Sequence, residues 1–399
     1  MKKRYVTTTL ALMLLTAAVT YGITFFNMQK ITGAQVEEFN KVIAQYERIA
    51  EVQSNIENLY VNEYDEETMI DGALAGMVAY LGDQWSYYLN EEDFAEYTTQ
   101  LTGNMVGIGV SVIFDEPTGG IRIIEVYENS PAQAAGLLSG DVVTVVNNEK
   151  VVDIGYETAV DNVRGEAGTE VNLLIYRASE NKSIPISVTR KEFRVENVKA
   201  QMVDGIGYVK IRSFDLGMSS QFIAAVHNLQ KQGAKGFVFD LRNNPGGAMT
   251  ELVACLDILL PEGVIITARD KVGAVEEYKS DASEITLPMA VLVNESSYSA
   301  AEFFAASLQE HNKATVVGTA TTGKGCAQRP IKLEHGGGIV LSISKYYTAN
   351  GISLADTNGI RPDIEVKFTE EQAKNFYTMP MSADTQIQAA LGHVRSKIQ

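Results

Sequence analysis

Hydrophobic and polar positions follow several distinct periods along this chain, and the switches between them mark its elements. Tyr5 to Asn27 runs for 23 residues without a charge, long enough for a helix to cross a hydrocarbon layer of about 30 Å. Val36, Phe39, Ile43, Tyr46, Ile49, Val52 and Ile56 then recur every three or four positions, the stripe of an amphipathic helix. Glu66 to Leu81 predicts a second helix, with Met69, Ile70, Ala73, Met77 and Tyr80 on one face. In residues 96–190 the apolar runs become shorter. Gly107 to Ile113 reads as a glycine turn entering a strand, Ser130 to Leu137 as a short capped helix, and Gly140 to Val146 as a turn and a strand. Tyr156 to Val163 follows as a helix, then Val171 to Tyr176 and Ser183 to Val188 as strands.

From residue 191 strands and helices alternate. Ile206 to Ile211 is a strand behind a turn at Asp204-Gly205, Ser219 to Gln230 a helix, Gly236 to Leu241 a buried strand and Met249 to Leu260 a helix. Pro288 to Val293 is an apolar strand, Asn294 to Tyr298 a polar turn, and Ala300 to Leu308 a helix apolar except at Glu302 and Ser307. Thr315 to Val317 and Gly338 to Tyr347 read as strands, His335 as a hairpin tip, and 370–376 and 384–394 as terminal helices. Such alternation predicts an α/β protein.

Composition adds location. The net charge is −17, which argues against nucleic acid as a partner, because its phosphates would be repelled. Lys2, Lys3 and Arg4 precede the long apolar run, so residues 1–4 stay in the cytoplasm and 5–27 form a single-pass anchor in the cell membrane. A cleaved signal peptide is the competing reading, but the run is long for one and has no convincing A-x-A site. Either way the chain after residue 30 lies outside the cytoplasm. The stripe from Val36 to Ile56 either pairs with its twin in a homodimer or packs on its own domain, and the sequence leaves both open. Cys255 and Cys326 are the only cysteines. An external location permits a disulfide, but Cys255 reads as a buried free thiol on an apolar helix face. No residue cluster suggests a metal site, and H-E-x-x-H is absent.

The chemistry concentrates in residues 294–328. Ser299 stands where a strand turns into a helix, beside free backbone N–H groups and the positive end of the helix dipole. A serine so placed attacks a carbonyl once a base takes its proton. Of four histidines, only His335 lies in a glycine-rich turn after a strand, and it looks like a hairpin tip. Lys324, between two glycines after the next short strand, is the better partner, provided its amine can be neutral. A helix N-cap serine and a solvated loop lysine remain the plainer alternative.

Ser296-Ser-Tyr-Ser-Ala-Ala-Glu-Phe303 and Gly323-Lys-Gly-Cys-Ala-Gln328 resemble the S-A-S-A-S-E-[IF] and G-K-G-x-x-Q patterns of the carboxyl-terminal processing proteases, a family of serine–lysine peptidases. Departures are Tyr298 for a small residue, Ala301 for a serine, and Cys326-Ala327 for the commoner Thr-Val. The resemblance implies Ser299 as nucleophile, Lys324 as general base and Gln328 as the residue holding that lysine. Asp240-Leu-Arg-Asn-Asn-Pro-Gly-Gly247 is similar to the family's oxyanion turn, which implies that the N–H groups of Gly246 and Ala300 stabilise the tetrahedral intermediate. Asn358 to Val366 then closes the sheet as in that family. Residues 130–137 with Gly140-Asp141 resemble a bacterial PDZ domain. This implies that the turn Gly107, Ile108, Gly109 and Val110 binds the carboxylate of a peptide added as a strand. Arg164, in a motif similar to R-G-x-x-G-T, would link that domain to the protease or else form only a surface ion pair.

The expected protein is a crotonase-like α/β protease core (191–368) with an inserted PDZ domain (96–190), an N-terminal helical region (28–95) and a helical tail (369–399). Its partners would be the carboxyl-terminal tails of proteins, and no cofactor is implied. An inert PDZ scaffold is the rival reading, disfavoured by intact Ser299, Lys324, Gln328 and the N-P-G-G turn. Gly318 to Lys324 also fits most of a P-loop, but Gly325 lacks the hydroxyl that would hold magnesium. An acyl-CoA enzyme of similar topology is disfavoured by the external location.

Overall fold

A computed structural model describes residues 46–101 and 104–398, with isolated positions before residue 46. The anchor expected over residues 5–27 lies almost wholly outside the described residues, as does the first half of the Val36–Ile56 stripe. Among the described residues no helix is long and apolar enough to cross a membrane. The chain divides into two compact units, 1–70 and 71–399. In the first, residues 46–59 are helical, and Tyr46, Ile49 and Val52 of the apolar stripe are exposed.

The second unit is built on a six-stranded sheet. Ile206–Ile211, Phe237–Asp240, Met289–Val293, Ala314–Gly318 and Ile364–Glu365 run parallel in that order, and Val198–Val203 pairs antiparallel on the outer edge. These strands read as continuous apolar runs because both faces are covered. On one face Phe237, Phe239, Val291 and Val293 meet the helices Met218–Lys231, Met249–Asp257 and Ala300–Glu310. Phe304 lies at the centre, its ring 5.5 Å from that of Phe239 and 6.0 Å from those of Phe214 and Phe222. Each such ring, fully buried, contributes roughly 2–3 kcal/mol. On the opposite face Val238, Ala290 and Leu292 meet the C-terminal helix Thr385–Lys397 through Ile387, Ala390, Leu391 and Val394.

A second sheet centres on Gly338–Thr348, flanked by Tyr87–Leu89, Gly263–Asp270 and Cys326–Lys332. The strands Gly263–Asp270 and Val275–Ser280 form a hairpin that the hydrophobic pattern does not announce, because Val275–Ser280 is half charged and mostly exposed. The helix read to Leu260 stops at Asp257, ahead of Pro261, whose ring forbids further helix. Of the face expected on the Glu66–Leu81 helix, Met77 and Tyr80 are exposed, and Val78 is the residue it buries.

The insert has its own six-stranded sheet, Val110–Asp115, Gly120–Val126, Val142–Val146, Glu170–Arg177 and Lys182–Thr189 in that spatial order with Glu149–Lys150 also paired to Val142–Val146, and a separate apolar core around Ile121, Ile123, Val146 and Ile175. The chain enters it through an unexpected helix, Glu91–Leu101. Its ends are closed by a two-stranded ladder of Asn104–Gly107 against Lys191–Arg194.

A buried ionic network fastens the C-terminal helix to the core. Arg242 donates to both oxygens of Asp240, to Asp384 at 2.8 Å and to Gln386 at 2.9 Å, and the Tyr208 hydroxyl donates to Asp240 at 2.6 Å. All but Tyr208 are 4% exposed or less, and Tyr208 is 7% exposed. Removing one member of a buried ion network strands the other charges. Arg242→Ala should therefore cost about 3–5 kcal/mol, seen as a lower urea midpoint at unchanged m value. A midpoint close to that of the unmodified chain would show that the two carboxylates find other partners.

Candidate active site

The strand Met289–Val293 delivers the turn 294–299, and the helix Ala300–Glu310 departs from it. Ser299 sits at the junction with φ +58° and ψ −124°, a conformation that costs a non-glycine residue on the order of 1–3 kcal/mol. The neighbouring turn 242–247 is tied alongside by mutual hydrogen bonds. Asn243 N–H donates to Asn294 Oδ1 at 2.9 Å, Asn294 Nδ2 returns one to Asn243 Oδ1 at 2.7 Å, and Tyr298 N–H donates to the Asn244 carbonyl at 3.1 Å. Ser297 Oγ, fully buried, donates to the Leu241 carbonyl at 2.8 Å.

Gly246 approaches Ser299 so closely that a Cβ there would lie 2.8 Å from both Ser299 Cβ and Ala300 N, and its φ is +91°. Glycine is therefore required. Its N–H, however, donates to Asn244 Oδ1 at 2.8 Å, so in this structure Gly246 is not a free donor beside Ala300. The N–H groups of Gly247 and Ala300 have no acceptor among the described residues, while the neighbouring Ala248 N–H bonds Phe214 O and the Gly246 carbonyl accepts from Phe214 N–H. Asn244 is itself wholly buried and anchored through Nδ2 to the Ile211 carbonyl at 2.9 Å.

Lys324 comes from the loop between Ala314–Gly318 and Cys326–Lys332. Its amine donates to Gln328 Oε1, and Gln328 Nε2 donates to the Trp85 carbonyl. A β-bulge between Ala327 and Gln328 re-aims the glutamine side chain, as bulges beside active sites do. The Lys324 amine makes no ion pair among the described residues. Burial holds its pKa below the ordinary lysine range, against an opposite pull from Cys326, Asp83 and Glu302. Ser299, Lys324, Gln328, Gly246, Gly247 and Ala300 all line one cleft of about 550 Å³. Its remaining walls include Tyr97 and Leu101 of the unexpected helix, Met249 and Tyr346.

Glu302 is the residue that the motif reading passes over. It is fully buried. One carboxylate oxygen accepts from the Thr321 hydroxyl and from Gly323 N–H at 2.7 Å; the other accepts from Lys324 N–H at 2.8 Å and Ser299 N–H at 2.9 Å. The signal was present as Ser299-x-x-Glu302, a capping-box spacing. These bonds also dispose of the P-loop likeness, since the N–H groups of Gly323 and Lys324 that would cradle a phosphate are taken by a carboxylate.

Away from this cleft, Gly107 ends a strand, and the N–H groups of Ile108 and Gly109 have no acceptor among the described residues, while the Ile108 and Gly109 carbonyls accept from Ala132 and Tyr127. Gly109 has φ +82°, and a Cβ there would meet Ser130 Cβ at 2.3 Å. Residues 107–110 border a groove of about 180 Å³ together with Val160, Val163 and Phe193. Arg164 stands at its rim, exposed, with Asp161 of its own helix 3.4 Å away. It is the surface pair, not the interdomain link. Insert and core are joined by Arg212, which donates through both Nη atoms to Glu125 of the insert and stacks its guanidinium 4.6 Å from the Tyr127 ring centre, and by Lys199, which pairs with Glu125 and Glu128. Cys255 and Cys326 are both free thiols.

Comparison with known proteins finds relatives of this chain. Residues 205–366 match the model of peptidase family S41, 106–188 that of the PDZ domain, and 13–93 that of the activating protease CtpB N-terminal domain. The chain is 31% identical over 369 residues to the carboxy-terminal processing protease CtpA of Bacillus subtilis, covering 90% of this chain and 77% of that one. It is 32% identical over 330 residues to the carboxy-terminal-processing protease of Bartonella bacilliformis, covering 81% and 75%. Among solved structures it resembles the photosystem II D1 C-terminal processing protease, with a TM-score of 0.51 and 25% identity over 79% of this chain and 86% of that one.

Glu302→Ala should lower kcat/KM by about 10²-fold, because misplacing catalytic groups by about 1 Å has that effect. Peptide turnover alongside far-ultraviolet circular dichroism checks this. A folded variant with undiminished turnover would show that the two loops hold their spacing without the carboxylate.

Proposed function

Because this chain belongs to the carboxy-terminal processing proteases of peptidase family S41, we propose that its serine peptidase chemistry runs through Ser299 as nucleophile and Lys324 as general base. The observation that carries the reading is the Lys324 amine: half-buried, without an ion pair among the described residues, and in the same cleft as Ser299. As Ser299 Oγ attacks the substrate carbonyl carbon, its proton passes to Lys324 Nζ. Gln328 holds the amine, and its tie to the Trp85 carbonyl fixes the glutamine in turn. The developing oxyanion is met by the N–H groups of Gly247 and Ala300, donors of a kind worth about 3–4 kcal/mol in the transition state. The ammonium then gives its proton to the leaving amine, and water, deprotonated by the same lysine, releases the acyl group.

The wider reading follows the same frame. The α/β core is of the crotonase-like kind, a reading supported by its parallel strands under helices. The PDZ groove takes the carboxyl-terminal tails of substrates or regulators, supported by the free N–H groups of Ile108 and Gly109 at its end. Residues 5–27 anchor the enzyme in the membrane with its catalytic part outside the cytoplasm, a reading supported by the uncharged run and the basic residues before it. The exposed Tyr46, Ile49 and Val52 support pairing with a second copy.

Activity should rise with pH through an ionisation below the ordinary lysine value of ~10.4, since the base works only when neutral and its pKa is lowered by burial. Ser299→Ala and Lys324→Arg should both be folded and inactive, because guanidinium does not deprotonate in proteins. Near-normal turnover by Lys324→Arg would make the lysine a positioning charge and send the search for the base elsewhere.

Tail recognition is tested separately by comparing peptides that end in a free acid with the same peptides amidated. The acid should bind more tightly, because the turn's N–H groups lose a charged acceptor on amidation. Equal binding would remove the groove from the account.

A further inference from the structure

Two aromatic rings enclose the Lys324 amine. Its Nζ lies 4.7 Å from the ring centre of Trp85 and 5.6 Å from that of Tyr298. The rings stack on each other with centres 5.8 Å apart and planes 28° from parallel. They come from distant parts of the chain. Trp85 sits in the turn before Tyr87–Leu89, and Tyr298 immediately precedes Ser299. Both are half-buried. Trp85 reaches the lysine by a second route as well, since its carbonyl accepts from Gln328, the amine's own acceptor. Tyr298 stands where the S-A-S-A-S-E pattern has a small residue.

Resting on the assignment of Lys324 as the base, we propose that Trp85 and Tyr298 are positioning residues, an aromatic clamp that keeps water from the lysine amine and sets the pH at which the peptidase becomes active. A ring face has two opposed effects on an amine. Its quadrupole attracts the ammonium, but only within about 6 Å of the centroid, and Tyr298 is near that limit. Its bulk excludes water, which disfavours the ammonium. Burial is the first cause that lowers the pKa of Lys324, and the two rings beside its amine are part of what buries it, so exclusion of water is the effect assigned to the clamp. The charged and titratable groups facing the amine are Asp83 from the turn that carries Trp85, Glu302 from the helix after Ser299, and Cys326 two residues on. All three pull toward the ammonium. Farther out, Tyr87 acts on Tyr298, and Lys345 acts on Cys326.

Trp85 is the single tryptophan of the chain, so the protein carries its own reporter. Emission of the full chain, excited beyond tyrosine absorption, should step with pH as charge leaves the lysine, and the step should vanish in Lys324→Met. Its midpoint should coincide with the acid limb of the pH profile of kcat/KM. Tyr298→Ala, checked for folding by thermal unfolding, should move both the emission midpoint and the kinetic limb to higher pH, so that its deficit at neutral pH disappears in alkaline buffer. Tyr298→Phe, which keeps the ring, should behave as the unmodified enzyme. If folded Tyr298→Ala leaves both midpoints where they were while Lys324→Met is inactive, the clamp is overturned and the base stands. If Lys324→Met retains turnover, the base assignment falls, and the clamp with it.

Discussion

Glu302 has no exposure to solvent, and a carboxylate so buried is tolerated only when its oxygens are fully hydrogen-bonded. Its partners come from both catalytic segments: Ser299 N–H on one side, and Thr321, Gly323 and Lys324 on the other. The Thr321 hydroxyl extends the chain of contacts by accepting from Ile360 N–H at 2.8 Å. The spacing between the Ser299 turn and the Lys324 loop is thus held by a carboxylate bonded to the backbone N–H groups of both. The same hydrogen bond to Ser299 N–H offsets part of the cost of a positive φ at a residue with a side chain.

Around this point the site is assembled from turns that are each supported by something rigid. The turn 242–247 hangs from the Phe237–Asp240 strand and is braced by Asn244 on one side and by the Arg242 network on the other. Asn243 also donates to the Tyr377 hydroxyl at 3.1 Å, so the segment after residue 368 contributes to the geometry of a turn far from it in sequence. The lysine loop leans on the second sheet, where the strand Gly338–Thr348 pairs both with the strand after Lys324 and with the strand after Trp85. Preorganisation of this kind lets backbone N–H groups meet developing charge without rearrangement.

The family motifs were legible because they are local. Pro288 to Val293 followed by a polar turn and an apolar run predicts a strand–turn–helix, and the structure has it. The lysine loop and the Asp240–Gly247 turn likewise fall where their glycines and flanking apolar runs place them. Where the reading failed, a partner was missing from the local string. Gly246 has a glycine's backbone, yet its N–H is spent on Asn244 Oδ1. Arg164 carries the motif, yet Arg212 and Lys199 make ion pairs between core and insert.

The sequence alone determined the order of elements, the apolar faces of the parallel strands and the identity of the residues that could carry nucleophilic chemistry, because hydrophobic period and turn chemistry are properties of a few consecutive residues. Only the tertiary structure decided which of those residues meet. Gln328 finds the Trp85 carbonyl 243 positions away, and Arg242 finds Asp384 across 142. Such pairings depend on how sheets and helices pack, and no period along the chain encodes them. A buried polar group must end with a partner, but the string of residues does not say which one.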